Sequence, residues 1–183
     1  FPEFEYSFSN RFFNKKPHIK SMKKIFISYS RKDVDYKNNL LTHLKPLEKF
    51  SLIEAWDCSR MRAGEWDEQI QKKLKESDIM VFMVSAKFMA SDYIIDDEVK
   101  KGIELAKNNP LKKIMCVLVG ECLWRQWSIL DENFKEDGSS DLSKFQFLPY
   151  YNENGTEAIL ALEDWGKNDS KSVNNAYMQI SKE

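Results

Sequence analysis

The sequence predicts an α/β fold, a flavodoxin-like doubly wound parallel sheet of five strands in the order 2-1-3-4-5. Three observations predict it. From Lys23 onward, short apolar runs alternate with helical patterns, as they do in a sheet covered by helices on both faces. Two runs, residues 79–84 and 114–119, are continuously apolar rather than alternating, which marks strands buried on both sides. The amphipathic stretches between the runs supply the crossover helices that parallel strands need.

Residues 25–28 form the first strand. Ser30 and Asp33 then read as a capping box, opening a helix whose apolar face is Tyr36, Leu40, Leu44 and Leu47. Pro46 is expected to bend or shorten that helix near its end. Residues 52–56 read as the second strand and 57–65 as a loop containing Gly64, after which Trp66, Ile70 and Leu74 mark one face of a short helix. The runs 79–84 and 114–119 form the centre of the sheet. Between them Ile95, Val99, Ile103 and Ala106 recur at helical spacing, predicting a helix over 92–108 that ends before Pro110. Residues 131–144, polar and acidic around Gly138, read as a mobile loop. Residues 145–148 supply a fifth short strand. Val173, Ala176, Tyr177 and Ile180 predict a closing helix, capped by Asp169 or Ser170.

Composition narrows the function. The 183 residues carry 28 Lys and Arg against 29 Asp and Glu, a net charge of −1. A near-neutral chain lacks the basic surface that gripping nucleic acid requires. Its size is enough for a core without disulfides or metal staples. Cys58, Cys116 and Cys122 are odd in number and lack zinc-site spacing, so they read as reduced thiols of a cytoplasmic protein. The longest apolar run has six residues, far below the roughly 20 that span a membrane. Residues 1–21 differ from the rest, with six aromatics in the first thirteen positions. They read as an appended or linking segment or an arm, leaving residues 22–183 as the domain.

In such a sheet, ligands bind beyond the carboxyl ends of the strands. The segments lying there are 29–32, 57–66, 85–93 and the loop after Val119. The glycines are too scattered for a dinucleotide fingerprint or a phosphate-cradling loop. His18 and His43 are too few for a nucleophilic triad or a transition-metal site. A phospho-acceptor domain of this fold needs an aspartate where Val84 and Ser85 stand. Carboxylate chemistry remains, with Asp92, Asp96, Asp97 and Glu98 on the helix after the third strand. Glu98 lies beside the apolar stripe, and Gly102 one turn later is expected to leave open space for a ligand. The competing reading pairs Glu98 with Lys101 on a solvated helix face.

Three blocks in register carry a resemblance. They are Lys24-Ile-Phe-Ile-Ser-Tyr-Ser-Arg-Lys-Asp33; Trp56-Asp57 with Gly64 and Trp66; and Val84-Ser85 with Phe88, Ser91, Asp92, Tyr93 and Glu98. Leu148-Pro149 and Trp165 extend it. Over residues 23–183 the chain resembles Toll/interleukin-1 receptor (TIR) domains, above all the bacterial ones. Many members cleave NAD+ between nicotinamide and ribose, which implies Glu98 as the catalytic residue and NAD+ as substrate, with no cofactor or metal. The resemblance places Tyr29, Ser30 and Arg31 at the nucleotide-contacting turn, where Arg31 meets the pyrophosphate or is simply an exposed arginine at a helix start. Asp57 orients the following loop or ends its strand, Gly64 supplies a loop conformation, and Trp66 stacks on a ring or packs. Several NAD+-cleaving members carry tryptophan where Ile94 stands, so Tyr93 is expected to serve as the aromatic wall. The product is then linear or cyclic ADP-ribose, or the result of base exchange. Self-association through the BB loop, Asp57 to Trp66, is implied as the activating step, in bacterial defence or host interference. The alternatives are a non-catalytic adaptor that binds other TIR domains, or another N-glycosidic enzyme resembling nucleoside deoxyribosyltransferases.

Overall fold

The computed structural model describes residues 21–58, 66–126, 145–153, 156–165, 167 and 172–183. The aromatic segment 1–20, the loop 59–65 with Gly64 and the acidic stretch 131–144 lie outside the described residues, as do Asp169 and Ser170, which are not the cap of the closing helix: its N-cap is Ser172. The elements are β1 (Lys23–Tyr29), α1 (Val34–Lys49), β2 (Ile53–Asp57), α2 (Trp66–Glu76), β3 (Ile79–Val84), α3 (Ala86–Met89), α4 (Lys100–Asn108), β4 (Lys113–Leu118), β5 (Gln146–Leu148), β6 (Tyr150–Glu153), β7 (Thr156–Ile159) and α5 (Val173–Ile180).

Strands β2-β1-β3-β4-β5 form one sheet in that order, every pairing parallel. The fold class is the one the sequence predicts. In β1 and β3 the alternation of side chains splits the core into two layers. Phe26, Met80, Phe82 and Val84 pack on one face with Ile70, Leu74, Val99 and Ile103 from α2, α4 and the turn before α4. Ile25, Ile27, Val81 and Met83 pack on the other with Leu40 and Leu44 of α1 and Ala176, Tyr177 and Ile180 of α5. Buried on both sides, β3 has no polar residue to spare. The hairpin β6–β7, which sequence periodicity does not predict, is a separate antiparallel ribbon.

Three expectations in this part of the fold are corrected. Ser30 does cap, accepting from the Lys32 N–H at 3.4 Å, but Asp33 does not reach back to complete a box. Its buried carboxylate instead accepts from Ser85 Oγ at 2.6 Å and Lys87 Nζ at 3.0 Å. Pro46 stands in the last turn of α1, which ends at Lys49. The helix over 92–108 is not continuous: Ile94–Val99 is a π-helical segment, with the Lys100 N–H bonded to the Ile95 carbonyl. Gly102 does not open space either. A Cβ there would lie 2.9 Å from Phe82 Cζ and 3.1 Å from Met80 Sδ, so glycine is what lets α4 sit down on β3. Gly102→Val should therefore cost about 1–3 kcal/mol through overpacking against a fully buried ring. Chemical denaturation reads this directly, and wild-type stability in the valine variant would contradict the close approach.

Candidate active site

The carboxyl ends of β1 and β3 deliver two turns side by side, and the hydrogen bonds from Ser85 and Lys87 to Asp33 staple one to the other. Beyond that staple opens a cleft of about 820 Å³, within the size range of small-molecule sites. Tyr29, Ser30 and Arg31 form one wall, Cys58 the end of β2, and Lys87, Ser91, Tyr93 and Glu98 the other wall.

Glu98 reaches this cleft because of the π segment. A π turn inserts one extra residue into the helical ladder and rotates the residues after it about the helix axis. The buried residues are Ile94, Glu98, Val99, Gly102 and Ile103: Val99 and Ile103 of the expected stripe are among them, while Ile95 and Ala106 are half-buried against the same core. Glu98 is 4% exposed. The pairing with Lys101 is corrected as well: Lys101 bonds Asp97 at 2.6 Å, and Lys100 bonds Asp96 at 2.6 Å. Helix α2 holds the segment in place from the side. Gln71 Nε2 donates to the Asp97 carbonyl at 2.8 Å, and the Tyr93 hydroxyl donates to Asp67 Oδ1 at 2.9 Å.

An acid removed from water resists ionisation. Burial pushes the Glu98 carboxyl up to about 7, the nearby Ser28 hydroxyl acting against this and the charge of Asp97 adding to it. Burial likewise raises the Cys58 thiol, with Glu98 and Asp57 adding to the effect. Burial and the bond to Asp67 raise the Tyr93 phenol. Asp57 lies behind the cleft rather than on its wall, 3.5 Å from Lys37 Nζ, in a pair whose Lys37 and Asp57 side chains are 4% and 2% exposed. Lys37 also sits 5.1 Å above the Tyr29 ring, so the pair braces the end of β1 from beneath.

Five of the residues expected at the site thus line one cleft: Tyr29, Ser30, Arg31, Tyr93 and Glu98. Trp66 opens α2, but its side chain and Gly64 lie outside the described residues. Sequence reasoning passed over Lys37, Asp33, Ser85 and Cys58. A signal existed for Lys37, which stands at helical spacing with Leu40, Leu44 and Leu47 on the buried face of α1.

Residues 25–154 match the TIR domain family. The chain belongs to that family. Within this TIR domain the match runs from β1 through β6 and takes in every residue lining the cleft. An uncharacterized protein, y4lF of Sinorhizobium fredii (strain NBRC 101917 / NGR234), is 36% identical over 84 residues, covering 45% of this chain and 26% of that protein. The chain accordingly spans about a quarter of that relative's length. A solved prokaryotic SEFIR domain is 17% identical with a TM-score of 0.42, covering 87% of this chain and 90% of that one. Among the described residues, no helix of the TIR domain is long and apolar enough to cross a membrane, and no group of three or more His, Cys, Asp or Glu is placed to hold a metal ion.

Proposed function

We propose that this TIR domain cleaves NAD+ at the bond between nicotinamide and ribose, with Glu98 as the catalytic residue. One observation carries the reading: a carboxylate almost withdrawn from solvent lines the wall of an 820 Å³ cleft at the ligand-binding edge of the sheet. Keeping an acid there costs stability, and strongly perturbed acids in clefts are candidates for function. A domain that only docks on its own kind has no use for one.

A single carboxylate suffices for this reaction. Nicotinamide leaves as a neutral base and needs no acid to protonate it, unlike the leaving groups that glycosidases handle with two carboxylates. Positive charge grows on the ribose as the bond breaks, and an ionised Glu98 in a water-poor site stabilises it more in the transition state than in the ground state. In this reading Arg31, exposed and lining the cleft, pairs with the pyrophosphate, and Tyr93 offers an aromatic wall for the nicotinamide ring. Water, or the adenine of the same molecule, then attacks the ribose to give linear or cyclic ADP-ribose.

The pH dependence has a definite sign. The free domain must lose the Glu98 proton, so kcat/KM should rise with pH through about 7. Bound NAD+ brings a cationic ring next to Glu98, which favours the ionised form, so kcat should rise through a lower pH than kcat/KM. Incubating the purified protein with NAD+ and separating the products tests this. Absence of nicotinamide release across about pH 6 to 9 would leave the homotypic adaptor or another N-glycosidic activity as the function, and offering nucleosides as substrates separates those two.

The same reading takes residues 22–183 as one domain, since α5, beyond the family match, covers the α1 face of the core. It also assigns residues 57–66, the segment that follows β2 in the chain, to self-association that switches the domain on. Specific activity should then climb with protein concentration. Constant specific activity across a wide range, with light scattering that reports only monomer, would remove the assembly step and leave Glu98 in place.

A further inference from the structure

Among the described residues, Ser28 Oγ is the one buried side-chain oxygen or nitrogen without a hydrogen-bond partner of standard geometry. The residue is 1% exposed and sits near the carboxyl end of β1, in register with Phe82 of β3. A serine buried this deeply among apolar neighbours costs about 1–3 kcal/mol if its hydroxyl is left unpaired, and packing gives no reason to prefer it to alanine. Strand alternation puts Ser28 on the same face as Phe26, which packs with Ile94 and Val99 of the π segment. Glu98 belongs to the same buried stripe and is the polar group of that segment turned inward. The two polar residues of this otherwise apolar layer therefore face each other.

We propose that Ser28 is the positioning residue for Glu98: its hydroxyl donates to one carboxylate oxygen from β1, leaving the other oxygen directed at the substrate. This assignment rests on the proposed cleavage of NAD+ for its catalytic meaning, while the Ser28–Glu98 contact can be tested without it. The donor favours the ionised carboxylate, and it does so against burial and the like charge of Asp97. Other titratable or charged groups around Glu98 do not replace it. The Tyr93 hydroxyl donates to Asp67, Cys58 has a raised thiol, Asp57 is paired with Lys37, Lys87 is paired with Asp33, and Arg31 and Lys32 line the cleft from the turn after β1.

The direct test is a carbon NMR titration of ¹³C-glutamate-labelled protein, with the Glu98 carboxyl assigned by its disappearance in Glu98→Gln. Ser28→Ala should raise the Glu98 midpoint by about one pH unit, and Ser28→Cys, which keeps a weak donor, by less. An unchanged midpoint in Ser28→Ala overturns the proposal, and the cysteine variant makes the same comparison if the alanine variant fails to fold. Nicotinamide release gives a second readout. A one-unit rise lowers the ionised fraction about eightfold near pH 6.5 and by less than about twofold near pH 9, so the loss of activity should shrink as pH rises. An equal loss at every pH would mean that Ser28 only packs. If the wild-type protein releases no nicotinamide at all, the cleavage reading fails, and the titration alone decides whether Ser28 positions Glu98.

Discussion

Glu98→Gln should lose NAD+ cleavage by about 10²–10³-fold while becoming more stable than wild type above neutral pH. The loss is on the scale of deleting one pre-organised electrostatic contact in a water-poor site. Gln keeps the shape and removes the charge, so KM should change far less than kcat. The gain in stability comes from linkage. Burial lifts the Glu98 carboxyl from 4.5 to about 7, so between these values the folded state holds a proton that the unfolded chain has released. Stability then falls as pH rises through that window. Below pH 4.5 both states are protonated and Glu98 costs nothing. Above about 7 the cost levels off on the order of 3 kcal/mol, and the amide does not incur it. Unfolding midpoints of the two proteins should therefore coincide near pH 4.5 and diverge by pH 8, with the variant higher. A variant that turns over like wild type would end the catalytic assignment, and parallel stability curves would mean that the acid is not desolvated.

Lys37→Met should be the most damaging change outside the cleft, costing about 3–5 kcal/mol. Lys37 Nζ and Asp57 Oδ1 lie 3.5 Å apart with almost no exposure, so removing the ammonium takes a buried counter-charge away from a buried carboxylate. The pair itself need not stabilise the fold, because two desolvated charges seldom outperform an apolar replacement. The double variant Lys37→Met with Asp57→Asn should accordingly recover most of the loss. Denaturant unfolding of both variants measures this as a coupling energy, and equal losses in the single and double variants would refute it. The single variant should also disturb the cleft, because Lys37 sits over the Tyr29 ring that forms part of its wall.

Much of this was legible beforehand. β3 matches its apolar run residue for residue, and α2 starts at the expected Trp66. The turn after β1 and the acidic helix after β3 stand at the ligand edge where their order in the chain placed them. The β6–β7 hairpin escaped because its strands are four residues each, too short for alternation to stand out. The Asp33–Ser85 staple escaped because its partners are 52 residues apart, and local capping chemistry offers each of them a nearer explanation.

By itself, then, the sequence determined the sheet order and the TIR family, and it singled out Glu98, which lines the cleft. Those rest on local periodicity and on the order of elements along the chain, both carried by residues close in sequence. Only the tertiary structure decided that Glu98 points inward. On an ideal helix of 3.6 residues per turn the apolar stripe passes beside Glu98 and leaves it free to meet Lys101. The π segment adds one residue to that turn, Gln71 and Tyr93 tie it to α2, and Gly102 lets α4 approach Phe82. The result is a carboxyl group turned inward, away from water. Side-chain burial of this kind is a sum over contacts from three distant segments, and none of them is encoded in the few residues around position 98.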